Sequence, residues 1–344
     1  MSLSTSGSAQ PPVEVRGEGA AHESFAHERA QVHHHHSHAE SSHHGSGHHL
    51  LQVEDLSVSF SMYDSARPYF AAEKIEHRAI ESLSIAVHEG EIVAVVGASG
   101  SGKSLLADAV MGLYEPNARV TGRIWFDGAL QDASSLSRLR GAGLSLLPQS
   151  VSSLDPLMKV GRQVRGASSG RGAARRADKV RRARKQEELF ARYGLAPEVA
   201  QLYPHELSGG MARRVLLCCA LMDDPRVIIA DEPTPGLDLD LAVRALADFR
   251  SFADEGGGVM LITHDIELAL RVADRVAVFK DGTVVEETAV GNFSDPCLLR
   301  HPFSRALWHA LPEHSFSDVA AEDASASIDA DAGWEVFDDV ARSS

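Results

Sequence analysis

Eight consecutive residues have the types and spacing to cradle a phosphate: Gly97, Ala98, Ser99, Gly100, Ser101, Gly102, Lys103 and Ser104. An apolar run of strand type, 92–96, precedes them and a helical pattern over 105–113 follows. In that order the glycines let the backbone curl until successive N–H groups point inward at phosphate oxygens, and the next helix turns its positive end on the same anion. Lys103 is then placed to reach the terminal phosphates, and Ser104 offers a hydroxyl to Mg2+, which takes oxygen ligands in octahedral geometry. A second pair of reactive groups, Asp231 and Glu232, closes another apolar run, 227–230. Ligands of parallel α/β sheets bind at the carboxyl ends of strands. Asp231 is therefore expected to hold Mg2+ through its water shell, and Glu232 to act as general base on the attacking water.

Further elements narrow the class. Leu207-Ser208-Gly209-Gly210-Met211 reads as a second anion-binding helix start, with no phosphate of its own to hold. Gln149 follows Leu147-Pro148, His264 closes the apolar run 259–263, and Gly236-Leu237-Asp238 follows the carboxylate pair. With the phosphate loop, these motifs in this order resemble those of ABC transporter ATP-binding proteins over about 50–312. The resemblance implies that the nucleotide is ATP and that Glu232, His264 and Gln149 serve catalysis, with Gln149 also sensing Mg2+ beside Ser104 and Asp231. It implies that Ser208, Gly209, Gly210 and Asp238 contact ATP held by a second subunit, so that two chains sandwich two ATP molecules. Phe60 is the expected adenine-stacking aromatic, with Tyr63 as the alternative.

Three pieces are similar to the dipeptide, oligopeptide and nickel importer branch: Ser152-Ser153-Leu154-Asp155-Pro156-Leu157, Tyr203-Pro204-His205-Glu206, and His301-Pro302-Phe303-Ser304-Arg305-Ala306-Leu307. Pro235-Gly236 departs from the residues usual there, and the cysteines found in the C-terminal extension of some peptide importers are missing. The resemblance implies an ATPase powering import of nickel or of di- and oligopeptides at the cytoplasmic face of the cell membrane. Its partners would be transmembrane permease subunits, a second ABC ATPase as homo- or heterodimer, and indirectly an extracytoplasmic substrate-binding protein. The alternatives are an exporter ATPase, or a soluble ABC ATPase of DNA repair or translation, which usually carries two cassettes or a coiled-coil insertion.

The elements that must position these groups give an α/β fold: a P-loop NTPase with a parallel-sheet core, a small antiparallel β subdomain over 51–60, 80–87 and 122–128, and a helical subdomain over about 151–222. A basic segment, 171–185, precedes a periodic helix over 187–193, and further helices fall at 240–252 and 266–272. Asp281-Gly282 between apolar runs predicts a hairpin with a type I′ turn. Residues 289–312 form a C-terminal extension, and 313–344 read as an acidic disordered tail. The first 49 residues read as a disordered arm holding eleven of the 18 histidines, dense enough to bind Ni2+ or Zn2+ loosely.

A formal net charge of -15 argues against a nucleic-acid partner. No run approaches the roughly 20 apolar residues of a spanning helix, and no secretory leader is legible. Three cysteines without CxxC spacing give neither a disulfide framework nor a metal site, and Cys218-Cys219 reads as core packing.

Overall fold

The computed structural model describes residues 48–63 and 74–311. Two long antiparallel strands, β1 (His49–Tyr63) and β2 (Lys74–His88), come first among the described residues. The wholly buried β3 (Ile92–Gly97) leads through a turn into α1 (Lys103–Val110). β4 (Ala118–Phe126) and β5 (Ala129–Gln131) complete a four-stranded antiparallel sheet of order β2-β1-β4-β5. α2 (Ala133–Leu139) and β6 (Leu144–Leu147) then lead to the helices α3 (Val160–Arg165), α4 (Gly172–Arg192) and α5 (Gly209–Ala220). Strands and helices alternate afterwards: β7 (Val227–Asp231), α6 (Leu239–Asp254), β8 (Gly258–Thr263), α7 (Ile266–Leu270) and β9 (Arg275–Lys280). β10 (Thr283–Ala289) and α8 (Pro302–His309) finish the described chain.

The central sheet has the order β10-β9-β3-β8-β7-β6, parallel throughout except for the β9–β10 hairpin. Its inner strands β3, β8 and β7 read as nearly unbroken apolar runs because both faces are covered. Side chains alternate between the two layers: Ile92, Ala94 and Val96 of β3 join Val215, Leu216 and Phe249 from α5 and α6. Val93 and Val95 pack instead with Leu106 and Val110 of α1 and with Leu51 and Val53 of the antiparallel sheet. Phosphate loop and carboxylate pair thus leave the same edge of one sheet, carried by strands with β8 between them.

Several elements exceed or differ from the expectation. β1 and β2 run well beyond the alternating segments, because their pairing continues to Tyr63 opposite Lys74. His49 opens β1 and His48 is ordered just before it rather than belonging to the arm: His48 Nε2 lies 2.7 Å from Asp127 Oδ1 and His49 Nδ1 lies 3.0 Å from Gln52 Oε1. The rest of the arm, residues 64–73 and everything from Pro312 onward fall outside the described residues. The basic segment and the periodic segment after it form one helix, α4, knit by Asp178 to Arg181 and Arg182 on its next turn. β6 and α2 were not expected; α2 starts on a reciprocal cap in which Asp132 Oδ1 accepts from the Ser135 amide at 2.7 Å and Ser135 Oγ accepts from the Asp132 amide at 2.8 Å. At the β9–β10 turn Asp281 and Gly282 have φ of 48° and 82°, the paired positive values of a type I′ turn.

A half-buried ion pair ties the start of β3 to β9. Arg275 donates to Glu91 at 2.9 Å and also to Glu287, while the His88 ring lies 2.6 Å from Glu91. Burial pushes the Glu91 carboxyl upward, but the bonds from His88 and Arg275 outweigh it and hold its pKa at about 2, below the ordinary 4.5. A depressed acid stabilises the fold above its unfolded pKa and loses that contribution as pH falls through the folded value. Glu91→Gln is accordingly expected to cost about 2 kcal/mol at neutral pH. In urea unfolding the deficit against the unaltered chain should shrink between pH 4.5 and about 2.

Candidate active site

The loop after β3 is shaped by two kinds of constraint. At Gly97 a Cβ would stand 2.1 Å from the Phe279 carbonyl oxygen, so the neighbouring β9 leaves no room for a side chain. Gly100 and Gly102 instead need freedom of backbone, with φ of 76° and 106°. Ala98, Ser99 and Gly100 are exposed at the turn. Gly102 is the N-cap of α1 and supplies no side-chain cap, so the first-turn amides of α1 face the loop. Lys103 is buried and folds back over the loop, donating to the Gly97 and Ala98 carbonyls at 2.9 and 2.8 Å. Burial lowers the pKa of its ammonium, while Glu232 and Asp231 act in the opposite sense.

Those two carboxylates come from the end of β7. Burial raises the pKa of Asp231, against a hydrogen bond from Ser104. Its Oδ1 is buried with no hydrogen-bond partner among the described residues, and so is Ser101 Oγ. A hydroxyl and a carboxylate touching, with one buried carboxylate oxygen unspent, form an oxygen-only donor set that suits a hard divalent cation such as Mg2+. Glu232 adopts φ of 50°, a left-handed conformation uncommon outside glycine, and its amide donates to the Ile262 carbonyl at 2.9 Å. The strained turn directs its buried carboxylate to the end of β8, where Oε2 lies 2.8 Å from His264 Nδ1 and 3.4 Å from Thr263 Oγ1. His264 itself is largely exposed.

The other expected residues lie elsewhere on the chain. Gln149 is exposed just beyond β6. Ser208 caps α5 by accepting from the Met211 amide at 3.3 Å, and Asp238 caps α6 by accepting from the Leu241 amide at 2.9 Å. Both caps are exposed, as is Gly209, whereas Gly210 approaches Gly236 so closely that a Cβ on it would stand 3.2 Å from the Gly236 carbonyl. Among the described residues no hydrogen bond joins Ser208, Asp238 or Gln149 to the group formed by Lys103, Ser104, Asp231, Glu232 and His264. Phe60 is half-buried and lines a cavity of about 310 Å3 with Leu105, Asp108 and Tyr114, while Tyr63 is exposed at the end of β1.

Arg213 went unnoticed in the sequence. It is buried on α5 and donates to the Pro148 carbonyl at 3.1 Å, immediately before Gln149. Burial lowers its pKa, while the charges of Glu232 and Asp231 act in the opposite sense, as they do on Lys103. The available signal was a cation on the apolar face that carries Ala212, Val215 and Leu216, a placement that demands a partner.

Among the described residues no cluster of three or more His, Cys, Asp or Glu side chains could hold a metal ion, and no helix is long and apolar enough to cross a membrane. The model of the ABC transporter family matches residues 80–235. The oligopeptide transport ATP-binding protein OppD of Lactococcus lactis subsp. cremoris (strain SK11) is 34% identical over 272 residues, covering 76% of each chain. The dipeptide transport ATP-binding protein DppD of Escherichia coli (strain K12) is 36% identical over 273 residues, covering 77% of this chain and 79% of the relative. Among solved structures, a dimeric ATP-binding cassette in a post-hydrolysis state with ADP and phosphate superposes with a TM-score of 0.58 at 26% identity, over 70% of this chain and 98% of that one. On the phosphate loop, the paired carboxylates and these relatives together, the chain belongs to the ABC transporter ATP-binding proteins and is an ATPase.

Proposed function

We propose that this chain is the ATP-hydrolysing subunit of an importer of short peptides. The observation that carries the catalytic part is the contact between Glu232 and His264 at the end of β7 and β8, beside Lys103 and Ser104 on the neighbouring loop. The names of its relatives, oligopeptide and dipeptide transport ATP-binding proteins, support the cargo class.

In this reading the amides of residues 97–104 and the Lys103 ammonium hold the phosphates, and Phe60 stacks on adenine. Ser104 and Asp231, together with Gln149, would hold Mg2+, which would supply neutralisation of the phosphate charge. Glu232 takes a proton from the attacking water. His264, bonded to Glu232 at 2.8 Å, orients that carboxylate and reaches the γ-phosphate from its exposed side. Arg213 ties α5 to the segment before Gln149, so a displacement of the helical region reaches the carboxylates through one side chain. The exposed turn at Ser208, Gly209 and Gly210, with Asp238 behind it, meets the nucleotide of a second ABC ATPase, as the dimeric cassette among the neighbours suggests. Closure of the two chains moves permease subunits docked against 149–160, with the ATPase at the cytoplasmic face of the membrane and a substrate-binding protein delivering cargo from the other side.

Nickel stays as a second cargo on one observation, the nine histidines between 22 and 44. Reconstitution with permease and partner ATPase separates the two. Peptide-loaded binding protein should raise ATP turnover several-fold; a response to nickel-loaded binding protein alone would overturn the peptide reading.

A further inference from the structure

Charge is distributed very unevenly along this chain. It carries 48 acidic and 33 basic residues, yet positions 159–185 hold eleven lysines and arginines against a single acid, Asp178. Some of these cations are neutralised within the fold. Arg182 is buried between Asp178 and Asp223, and Lys185 reaches Asp224 at 2.7 Å. Arg162, Arg175, Arg176 and Lys179 are exposed, and none has an ion pair or side-chain hydrogen bond among the described residues.

These four side chains line one groove of about 660 Å3 between α3 and the start of α4. Gly172, the first residue of α4, lines it as well, and the N-cap Arg171 provides no side-chain cap. The positive end of a 21-residue helix therefore adds to four unpaired cations in one concavity. Like charges held this close repel, and an anionic chain laid into the groove relieves the repulsion.

We propose that the groove is a docking site for the chain's own acidic C-terminal segment, residues 313–344. That segment has nine aspartates and glutamates against one arginine. Described structure ends at Leu311, and the 33 residues beyond it could span about 100 Å if extended, against a radius of gyration of about 18 Å for a folded domain of this size. Tethering holds its carboxylates near the groove at an effective concentration of order millimolar, far above that of a free acidic peptide. Two features favour a peptide over an anionic bilayer: the site is a groove rather than a flat face, and the net charge of -15 repels the protein from such a surface. Docking braces α3 against α4 by ionic contacts, so the brace weakens as salt rises.

Zero-length carbodiimide coupling of the full-length protein tests this, because it joins an ammonium to a carboxylate only in direct contact. Coupling should link Lys179 to an acid within 313–344, at a yield independent of protein concentration. The yield should fall about tenfold in 0.5 M NaCl, or when Arg162, Arg175 and Arg176 are changed to Glu. As a readout without covalent chemistry, changing all nine tail acids to amides should speed amide exchange in the first turn of α4 several-fold. Absence of the link, a yield that rises with protein concentration, or α4 exchange indifferent to the tail acids would each overturn the proposal. So would protection of the groove by phosphatidylserine vesicles equal in the presence and absence of the tail acids, which would assign it to a membrane.

Discussion

Glu232→Gln is expected to lower the rate of ATP hydrolysis by about 100- to 10,000-fold, the range over which a positioned general base contributes, while leaving nucleotide binding nearly unchanged. The amide keeps the shape of the carboxylate and can still bond to Thr263 and His264, so the strained turn at φ 50° has no new reason to relax. What it loses is the capacity to accept a proton from water. Single-turnover hydrolysis measures the loss, and binding of a fluorescent ATP analogue measures what is retained. With turnover blocked, ATP should hold the two-subunit form together, which sedimentation can follow. Hydrolysis at the unaltered rate would remove Glu232 from its assigned role and direct attention to His264, the neighbouring group 2.8 Å away.

The features legible in the sequence are those whose chemistry is contiguous. Residues 97–104 must be neighbours in the chain to curl around one anion, and Asp231 and Glu232 must be neighbours to leave one strand together. The alternating destinations of β3 side chains, and hence the sheet with two covered faces, follow from the same local pattern. Contacts between distant segments were out of reach. That His264 meets Glu232 depends on β7 and β8 being parallel neighbours, with Asp231 opposite Ile262. That Arg213 lies over Pro148 depends on how α5 crosses the end of β6, a strand of four residues whose short apolar run gives little periodicity to read. Phe60 shows a related limit: that it lines one cavity with Leu105 and Asp108 depends on how β1 and α1 come together, which no local pattern gives. Ser208 and Asp238 illustrate another, since within one chain each does no more than cap a helix.

Lys103→Met is expected to weaken Mg·ATP binding by about 100-fold, from the loss of charge-assisted hydrogen bonds worth about 3 kcal/mol. It also exposes a tension in the unliganded fold. The Lys103 ammonium is buried, held by two loop carbonyls, and helps offset the charge of two buried carboxylates. Burial raises the pKa of Asp231 above its ordinary 3.8, so ionising it works against the folded state as pH rises past that value. Removing the nearby cation enlarges that penalty. The variant should therefore be less stable than the unaltered chain at pH 7, with the gap narrowing as pH is lowered and Asp231 takes up its proton. Lys103→Arg separates charge from shape: it keeps the positive charge but places a planar fork of five donors where a compact ammonium sits between Gly97 and Ala98. Arginine should restore the pH profile of stability without restoring affinity for ATP. If instead both lysine variants bind nucleotide as tightly as the parent, measured by titration calorimetry, the loop after β3 is not where this protein holds its phosphates.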